Sequence, residues 1–159
     1  MTTHEEIVRA AIVREAEEWV GTPFGHGQSV KGVMVDCAHF IEELIMRAVG
    51  GLLSPVIVEP YKRREDGTVM LRLLEENMDM VASLDEAKPG DVVALIGERL
   101  DMPDEPRHLA VMSRRRADGT VFIIHAGDEE VVQHRINLHW KNRIHSIWKI
   151  RDFDASVVK

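Results

Sequence analysis

The chain has 159 residues, enough for one domain with its own hydrophobic core, and we expect a single domain over residues 1–159. Its 27 acidic residues outnumber its 20 basic ones, and the net charge of −7 argues against a nucleic-acid-binding protein, which normally carries a basic surplus. The single cysteine excludes an intrachain disulfide and any zinc site built from several cysteines.

The N-terminal segment alternates charged and apolar residues, unlike the continuous apolar run of a signal peptide. No stretch of the sequence is apolar for the length that a membrane span needs. We therefore expect a protein made in the cytoplasm without a signal peptide and without membrane insertion.

Three helices are predicted in the first half of the chain. A capping-box pattern at residues 3–6 precedes apolar residues at helical spacing, Asp36 is a candidate N-cap of the second helix, and Gly21 and Gly50 end the first two. A charged loop, Tyr61 to Gly67, precedes the third. The expected helices are His4–Val20, Cys37–Val49 and Thr68–Ala82.

The second half is predicted to be rich in β-strands. Short apolar runs are bounded by turn residues, with a Pro-rich loop from Arg99 to Arg107 and a short helical or irregular piece from Asn137 to Arg143. The expected strands are Val92–Ile96, His108–Arg114, Val121–His125, Val131–Arg135 and Ile144–Ile150. The sequence thus predicts an α+β fold, in which N-terminal helices pack on a C-terminal antiparallel sheet of about five strands.

Cys37 is the first candidate for a functional residue. It falls in the first turn of the predicted second helix, where unpaired backbone N–H groups and the helix dipole favour a thiolate. The glycine-rich segment from Gly21 to Gly32 leads up to it. The alternative is a buried cysteine that acts only as a small core residue.

Two of the eight histidines are candidate partners of this sulfur. His108 opens an apolar strand directly after the Pro-rich loop, and His125 ends the next strand. A hairpin turning at Asp118-Gly119 would pair position 108 with 128 or 129, which brings the two histidines near one end of adjacent strands. His134, His139 and His145 fall among charged residues near the C-terminus and are expected at the surface. Cysteine, base and orienting group together are the components of a cysteine hydrolase.

Five short motifs occur in an order that resembles the NlpC-type cell-wall cysteine peptidases. They are GTPF at 21–24, VDCAHF at 35–40, KPGDVV at 88–93, RHLAVM at 107–112 and FIIHAG at 122–127. The segment VVQHRINLHWKNRIHSIWKIR at 131–151 is similar to the branch of that family encoded with phage tails and phage-like particles.

The resemblance implies a reduced papain-like fold and a Cys-His-His triad. Cys37 would be the nucleophile, His108 the base and later the acid, and His125 the residue that orients His108. The substrate would be an amide bond in the peptide stem of peptidoglycan, commonly between D-glutamate and a diamino acid, with Asp36 receiving a substrate amine. No metal or other cofactor is implied.

Three departures from the family pattern bear on the substrate site. Phe24 stands where the family usually has a tyrosine, so a hydroxyl is missing, and we expect His26 or Gln28 to replace it. His39 adds bulk and a possible charge next to the site, or is simply an exposed helix residue. The acidic insertion Leu100–Pro106 is either a lid or a solvated loop.

Other functions fit the same sequence. A related thiol acyltransferase or amidase would keep the nucleophile and change the substrate. A structural component of a phage tail, with phage tail proteins as partners, would keep the fold and lose the activity. A zinc hydrolase is disfavoured because the histidines form no His-x-x-x-His pair. A cell-wall enzyme without a signal peptide would reach its substrate after lysis or as part of a virion, and an intracellular recycling role is the alternative.

Overall fold

The computed structural model describes residues 3–49, 67–97 and 105–151. The helices are α1 (His4–Trp19), α2 (Cys37–Val49), α3 (Gly67–Asn77) and α4 (Leu138–Lys141). The strands are β1 (Ser29–Val30), β2 (Met34–Val35), β3 (Met78–Val81), β4 (Val92–Ile96), β5 (Pro106–Arg115), β6 (Val121–Ala126), β7 (Val131–Arg135) and β8 (Ile144–Ile150). A short 3-10 helix spans Leu84–Glu86. The predicted α+β class is confirmed.

The main sheet has six strands in the order β3-β8-β4-β5-β6-β7, and neighbouring strands are antiparallel. The sequence predicted a sheet of about five strands. It also assigned residues 78–82 to the end of the third helix, and this assignment is wrong. The Asn77 side chain donates to the Leu73 carbonyl in the last turn of α3, and β3 then pairs with β8, Met78 opposite Ile150. The apolar spacing that fits a helix is overridden by this strand pairing.

The other boundaries agree closely with the sequence. The predicted limits of α2, β4, β7 and β8 are confirmed, and α1 ends one residue early, at Trp19. Strand β5 begins at Pro106 rather than His108. The β1–β2 hairpin between α1 and α2 was not predicted. Most of the predicted charged loop and of the acidic insertion lies outside the described residues.

Both faces of the sheet are covered by apolar side chains. On one face, α1, α2 and α3 pack against alternate residues of β5 and β6, including Leu109, Val111, Ile124 and Ala126. On the other face, Ala110, Met112 and Ile123 form a second cluster, with Trp140 of α4 at its border. Because side chains alternate along a strand, His108 and His125 belong to this second face.

A buried ion pair joins α1 to the turn before β4. Arg9 Nη1 lies 2.6 Å from Asp91 Oδ1, and both residues are buried. The second Asp91 oxygen accepts the Lys88 backbone N–H at 2.9 Å. Gly90 has φ +96° and packs against the Arg9 backbone, where a Cβ would lie 3.2 Å from the Arg9 Cα. The Lys-Pro-Gly-Asp turn thus holds the start of β4 against the first helix.

None of the helices within residues 3–49, 67–97 and 105–151 combines the length and the apolar composition required to cross a bilayer.

Candidate active site

Cys37 is the first residue of α2, and Asp36 caps this helix as predicted. Asp36 Oδ1 accepts the backbone N–H of His39 at 2.9 Å, the standard N-cap bond. The other oxygen, Oδ2, accepts the backbone N–H of Gly27 at 2.7 Å. Gly27 has φ +71°, a conformation that glycine adopts without steric cost, so this carboxylate ties the glycine-rich segment to the helix start.

The glycine-rich segment is also held by the sheet. The Phe24 backbone N–H donates to the Glu129 carbonyl at 2.9 Å, and Phe24 bridges to Val35. The Phe24 side chain is half-buried and packs on the helix-side core. These contacts bring the loop before α2 next to the ends of β5 and β6.

A cleft of about 160 Å³ lies at this junction. The residues that line it are Phe24, His26, Asp36, Cys37, Met70, Arg107, His108, Ala126 and Asp128. Five of the predicted site residues therefore share one cleft, whereas the wall does not include Gln28 or His39. Gln28 contributes through its backbone, since its carbonyl accepts the Asp36 N–H at 3.2 Å. Between Gln28 and His26, the structure favours His26 as the residue beside the missing hydroxyl.

His108 and His125 form a direct hydrogen bond. His108 Nε2 lies 2.7 Å from His125 Nδ1, and the rings are nearly perpendicular, at 88°. The predicted register was wrong by one or two positions, because an irregularity between Met112 and Arg114 shifts the β5–β6 pairing so that Ala110 faces His125. The bond uses Nε2 of His108, so Nδ1 is the nitrogen that remains for a thiol proton.

The Cys37 thiol and the His108 ring share the wall of the cleft, and these two described residues form no direct hydrogen bond. Catalytic hydrogen bonds are often long in a free enzyme and tighten when substrate binds. The arrangement thus places the predicted nucleophile and the predicted base at one cleft without a hydrogen bond between them.

Burial keeps this pair neutral. Burial raises the pKa of the Cys37 thiol to about 12, and the negative charge of Asp36 adds to the effect. Burial also lowers the pKa of His108 to about 4, assisted by the positive charge of Arg143 and opposed by Asp128. Desolvation therefore opposes the thiolate that the helix start was expected to favour. The resting site holds a thiol and a neutral imidazole.

His134 extends the chain of imidazoles, which the sequence did not predict. It is half-buried rather than at the surface, and its Nε2 lies 2.8 Å from His125 Nε2. Its Nδ1 lies 2.9 Å from the carbonyl oxygen of Arg135. Trp140 of α4 packs against both rings, with centroids 5.2 Å from His125 and 4.7 Å from His134. The β6–β7 register, which places His134 opposite Ile123, was not available from the sequence.

His39 is paired with Asp36 rather than exposed. Its Nδ1 lies 2.8 Å from Asp36 Oδ1, and this hydrogen bond raises the pKa of His39. Burial acts to raise the pKa of Asp36. The hydrogen bonds from His39 and Gly27 lower it by more, so the pKa of Asp36 lies below its usual value. Both oxygens of the Asp36 carboxylate thus accept hydrogen bonds from donors of the protein itself.

A second, wider cleft of about 740 Å³ lies beyond the two histidines and shares His108, Arg107 and Asp128 with the first. Its wall also includes His125, His134, Trp140 and Arg143. Arg107 and Asp128 were missed by the sequence reasoning, although each is close to a predicted histidine, Arg107 immediately before His108 and Asp128 three positions after His125. The described part of the chain contains no group of three or more His, Cys, Asp or Glu side chains arranged to hold a metal ion.

Comparisons with known proteins give structural neighbours only. No family model matches the sequence, and no curated protein matches it. A Staphylococcus aureus protein described as similar to lipoprotein, of the NLP/P60 family, superposes with a TM-score of 0.62 at 17% identity, covering 90% of this chain and 41% of that one. NlpC2 from Trichomonas vaginalis gives a TM-score of 0.64 at 13% identity, covering 94% and 51%. NlpC1 from the same organism gives 0.58 at 14% identity, covering 89% and 44%.

The chain has an NlpC/P60-like fold. At these identities the likeness concerns the fold alone. The chain spans about half or less of the length of these neighbours, 41–51%.

Proposed function

We propose that this chain is a cysteine peptidase or amidase that hydrolyses an amide bond in peptidoglycan stem peptides, between D-glutamate and a diamino acid. The observation that carries the proposal is the single cleft that holds Cys37 at the start of α2 together with His108, whose Nε2 is bonded to His125 at 2.7 Å. The NlpC/P60-like fold and the motif order support the substrate class.

The chemistry follows from the neutral resting state. His108 Nδ1 accepts the thiol proton as the Cys37 sulfur attacks the substrate carbonyl, so no free thiolate has to persist in the buried cleft. The backbone N–H of Cys37, at the helix start, is positioned to stabilise the developing oxyanion. His108 then returns the proton to the leaving amine, and water hydrolyses the acyl-enzyme. His125 keeps the ring of His108 oriented throughout.

The test is incubation of the purified protein with synthetic stem peptides containing the D-glutamyl–diamino acid bond. Mass spectrometry should detect two fragments and a new free amine, and Cys37→Ala should abolish their formation. His139→Ala is the matched control, because His139 is exposed on α4 and lies outside both clefts. Cleavage that survives in Cys37→Ala would refute the mechanism. Transfer of the acyl group to an added amine, with little hydrolysis, would identify an acyltransferase instead.

A second candidate is a non-catalytic component of a phage tail, and two observations favour it. Phe24 lines the cleft without a hydroxyl, and the Cys37 thiol is neutral in the free protein. Alkylation by iodoacetamide separates the candidates without any substrate. If His108 acts as a base, His108→Ala should slow alkylation of Cys37 at neutral pH. Equal rates in the two proteins, with no cleavage of any stem peptide, would favour the structural role.

A further inference from the structure

The bond between His125 and His134 continues a hydrogen-bonded chain that starts at the cleft. His108 Nε2, His125 Nδ1, His125 Nε2 and His134 Nε2 follow one another at distances of 2.7 and 2.8 Å, and His134 Nδ1 ends the chain 2.9 Å from the Arg135 carbonyl oxygen. Both ring-to-ring contacts are edge-on, at 88°. Each ring therefore uses both nitrogens except that of His108, a residue that lines the cleft together with Cys37.

The carbonyl at the end of the chain determines where the protons are. A carbonyl oxygen only accepts, so Nδ1 of His134 must carry a proton, and in a neutral ring its Nε2 is then an acceptor. His125 must donate from Nε2 to that acceptor, which makes its own Nδ1 an acceptor. His108 in turn must donate from Nε2. The remaining nitrogen, His108 Nδ1, is then unprotonated, on a residue that lines the cleft with Cys37.

The surroundings of His108 and His125 support neutral rings at these two positions. Burial, with the neighbouring imidazoles His108 and His134, lowers the pKa of His125 to about 3, and His108 is likewise held neutral. A neutral ring has one N–H, so each link permits one direction of donation only. Trp140 packs on His125 and His134 and limits ring rotation.

We propose that His134 is a positioning residue for the reaction: by accepting from His125, it fixes the tautomers of His125 and His108 so that His108 presents an unprotonated Nδ1 to the Cys37 thiol. This inference rests on the proposed function of Cys37 and His108. When the thiol proton reaches Nδ1, the bond from His108 Nε2 to His125 persists unchanged, because a protonated imidazole donates from both nitrogens. The hydrogen-bonded chain of imidazoles thus keeps its bond to His108 both before and after proton transfer.

Two variants of His134 separate an acceptor role from simple packing. His134→Phe keeps a planar ring against Trp140 and removes the acceptor, whereas His134→Gln offers an amide oxygen near the position of Nε2. His139→Phe is the control. His139 also contacts Trp140, with ring centroids 6.4 Å apart, but it is not part of the hydrogen-bonded chain of imidazoles. All four proteins would be checked for folding by thermal melting.

The first readout is the nitrogen-15 spectrum of the histidine rings at about pH 8, which distinguishes the two tautomers. Wild type should show Nε2–H at His108 and His125, and Nδ1–H at His134. In His134→Phe, His108 should shift toward Nδ1–H, and His134→Gln should restore the wild-type pattern. A different pattern in wild type, or an unchanged His108 in His134→Phe, would overturn the proposal. The wild-type spectrum tests the proposed tautomers even if a variant does not fold.

The second readout is the rate of Cys37 alkylation by iodoacetamide. The loss of one hydrogen bond in the chain should slow it by about tenfold in His134→Phe, with rescue in His134→Gln and no change in His139→Phe. Equal losses in both His134 variants would indicate packing alone and contradict the proposal. Neither readout uses a peptide substrate. The two proposals can therefore fail separately. If the tautomers and the alkylation rate respond as expected but no stem peptide is cleaved, the proposed substrate is refuted and the role of His134 stands.

Discussion

The neutral, buried state of His125 predicts a measurable pH dependence of stability. We consider the substitution His125→Asn, in which the asparagine oxygen lies near the position of Nδ1 and can still accept from His108 Nε2. The change removes a titratable group and keeps the acceptor. It therefore isolates the contribution that protonation of His125 makes to the free energy of unfolding.

The sign follows from the two states. Burial lowers the pKa of His125 from 6.5 to about 3, so between these values the unfolded chain binds a proton that the folded chain does not. The free energy of unfolding of the wild type must then fall as the pH drops below 6.5. At about pH 5, the deficit relative to neutral pH is about 2 kcal/mol from this residue alone. In His125→Asn this contribution is absent, so its free energy of unfolding should fall by about 2 kcal/mol less than that of the wild type between neutral pH and about pH 5.

The assay is urea unfolding of both proteins, followed by circular dichroism from about pH 8 to about pH 5. The difference in free energy of unfolding should change by about 2 kcal/mol over this range in favour of His125→Asn at the acidic end. His139→Asn is the control and should give a curve parallel to wild type, because His139 is exposed. A His125→Asn curve that also runs parallel to wild type would show that His125 titrates normally in the folded protein, which would refute the burial argument.

Two further predictions concern the turn before β4 and the wall of the cleft. Asp91→Ala removes the carboxylate 2.6 Å from Arg9 Nη1, while Glu5 remains 3.0 Å from Arg9 Nε, so urea unfolding should show a loss of about 1.5–3 kcal/mol; a loss below about 1 kcal/mol would contradict the role of this ion pair. Phe24→Tyr adds a hydroxyl beside the cleft, so the rate of stem-peptide hydrolysis should rise, by up to about tenfold; an unchanged rate would show that another group already supplies this donor.

Local sequence features were sufficient to predict most elements of the fold. The limits of α2 follow from the Asp36 cap and the apolar spacing after Cys37, and β4 and β7 follow from short apolar runs between turn residues. Strand β3 was missed because Met78 and Val81 fit helical spacing equally well. Only the pairing of Met78 with Ile150, a contact between distant parts of the chain, decides between helix and strand.

Most residues of the candidate site were predicted from the sequence, whereas the hydrogen bonds between them were not. Cys37, His108 and His125 stand in recognisable motifs, but the bond from His108 to His125 depends on an irregularity in β5 that no motif reveals. His134 lies in a strand of mixed polarity, and nothing local distinguishes it from a surface histidine. Its role requires the register of β7 against β6, which the sequence does not encode in any short segment.

The protonation state of the site is the property least accessible from sequence, and it changes the expected mechanism. A cysteine at a helix start predicts a thiolate when the helix alone is considered. Here the thiol is buried beside the Asp36 carboxylate, and His108 is buried near the positive Arg143, so both ionised forms are disfavoured. In the proposed mechanism, proton transfer therefore accompanies attack on the substrate rather than preceding it. A base with an unprotonated Nδ1 facing the cleft is what such a step requires, and that makes the tautomers of the histidine chain matter.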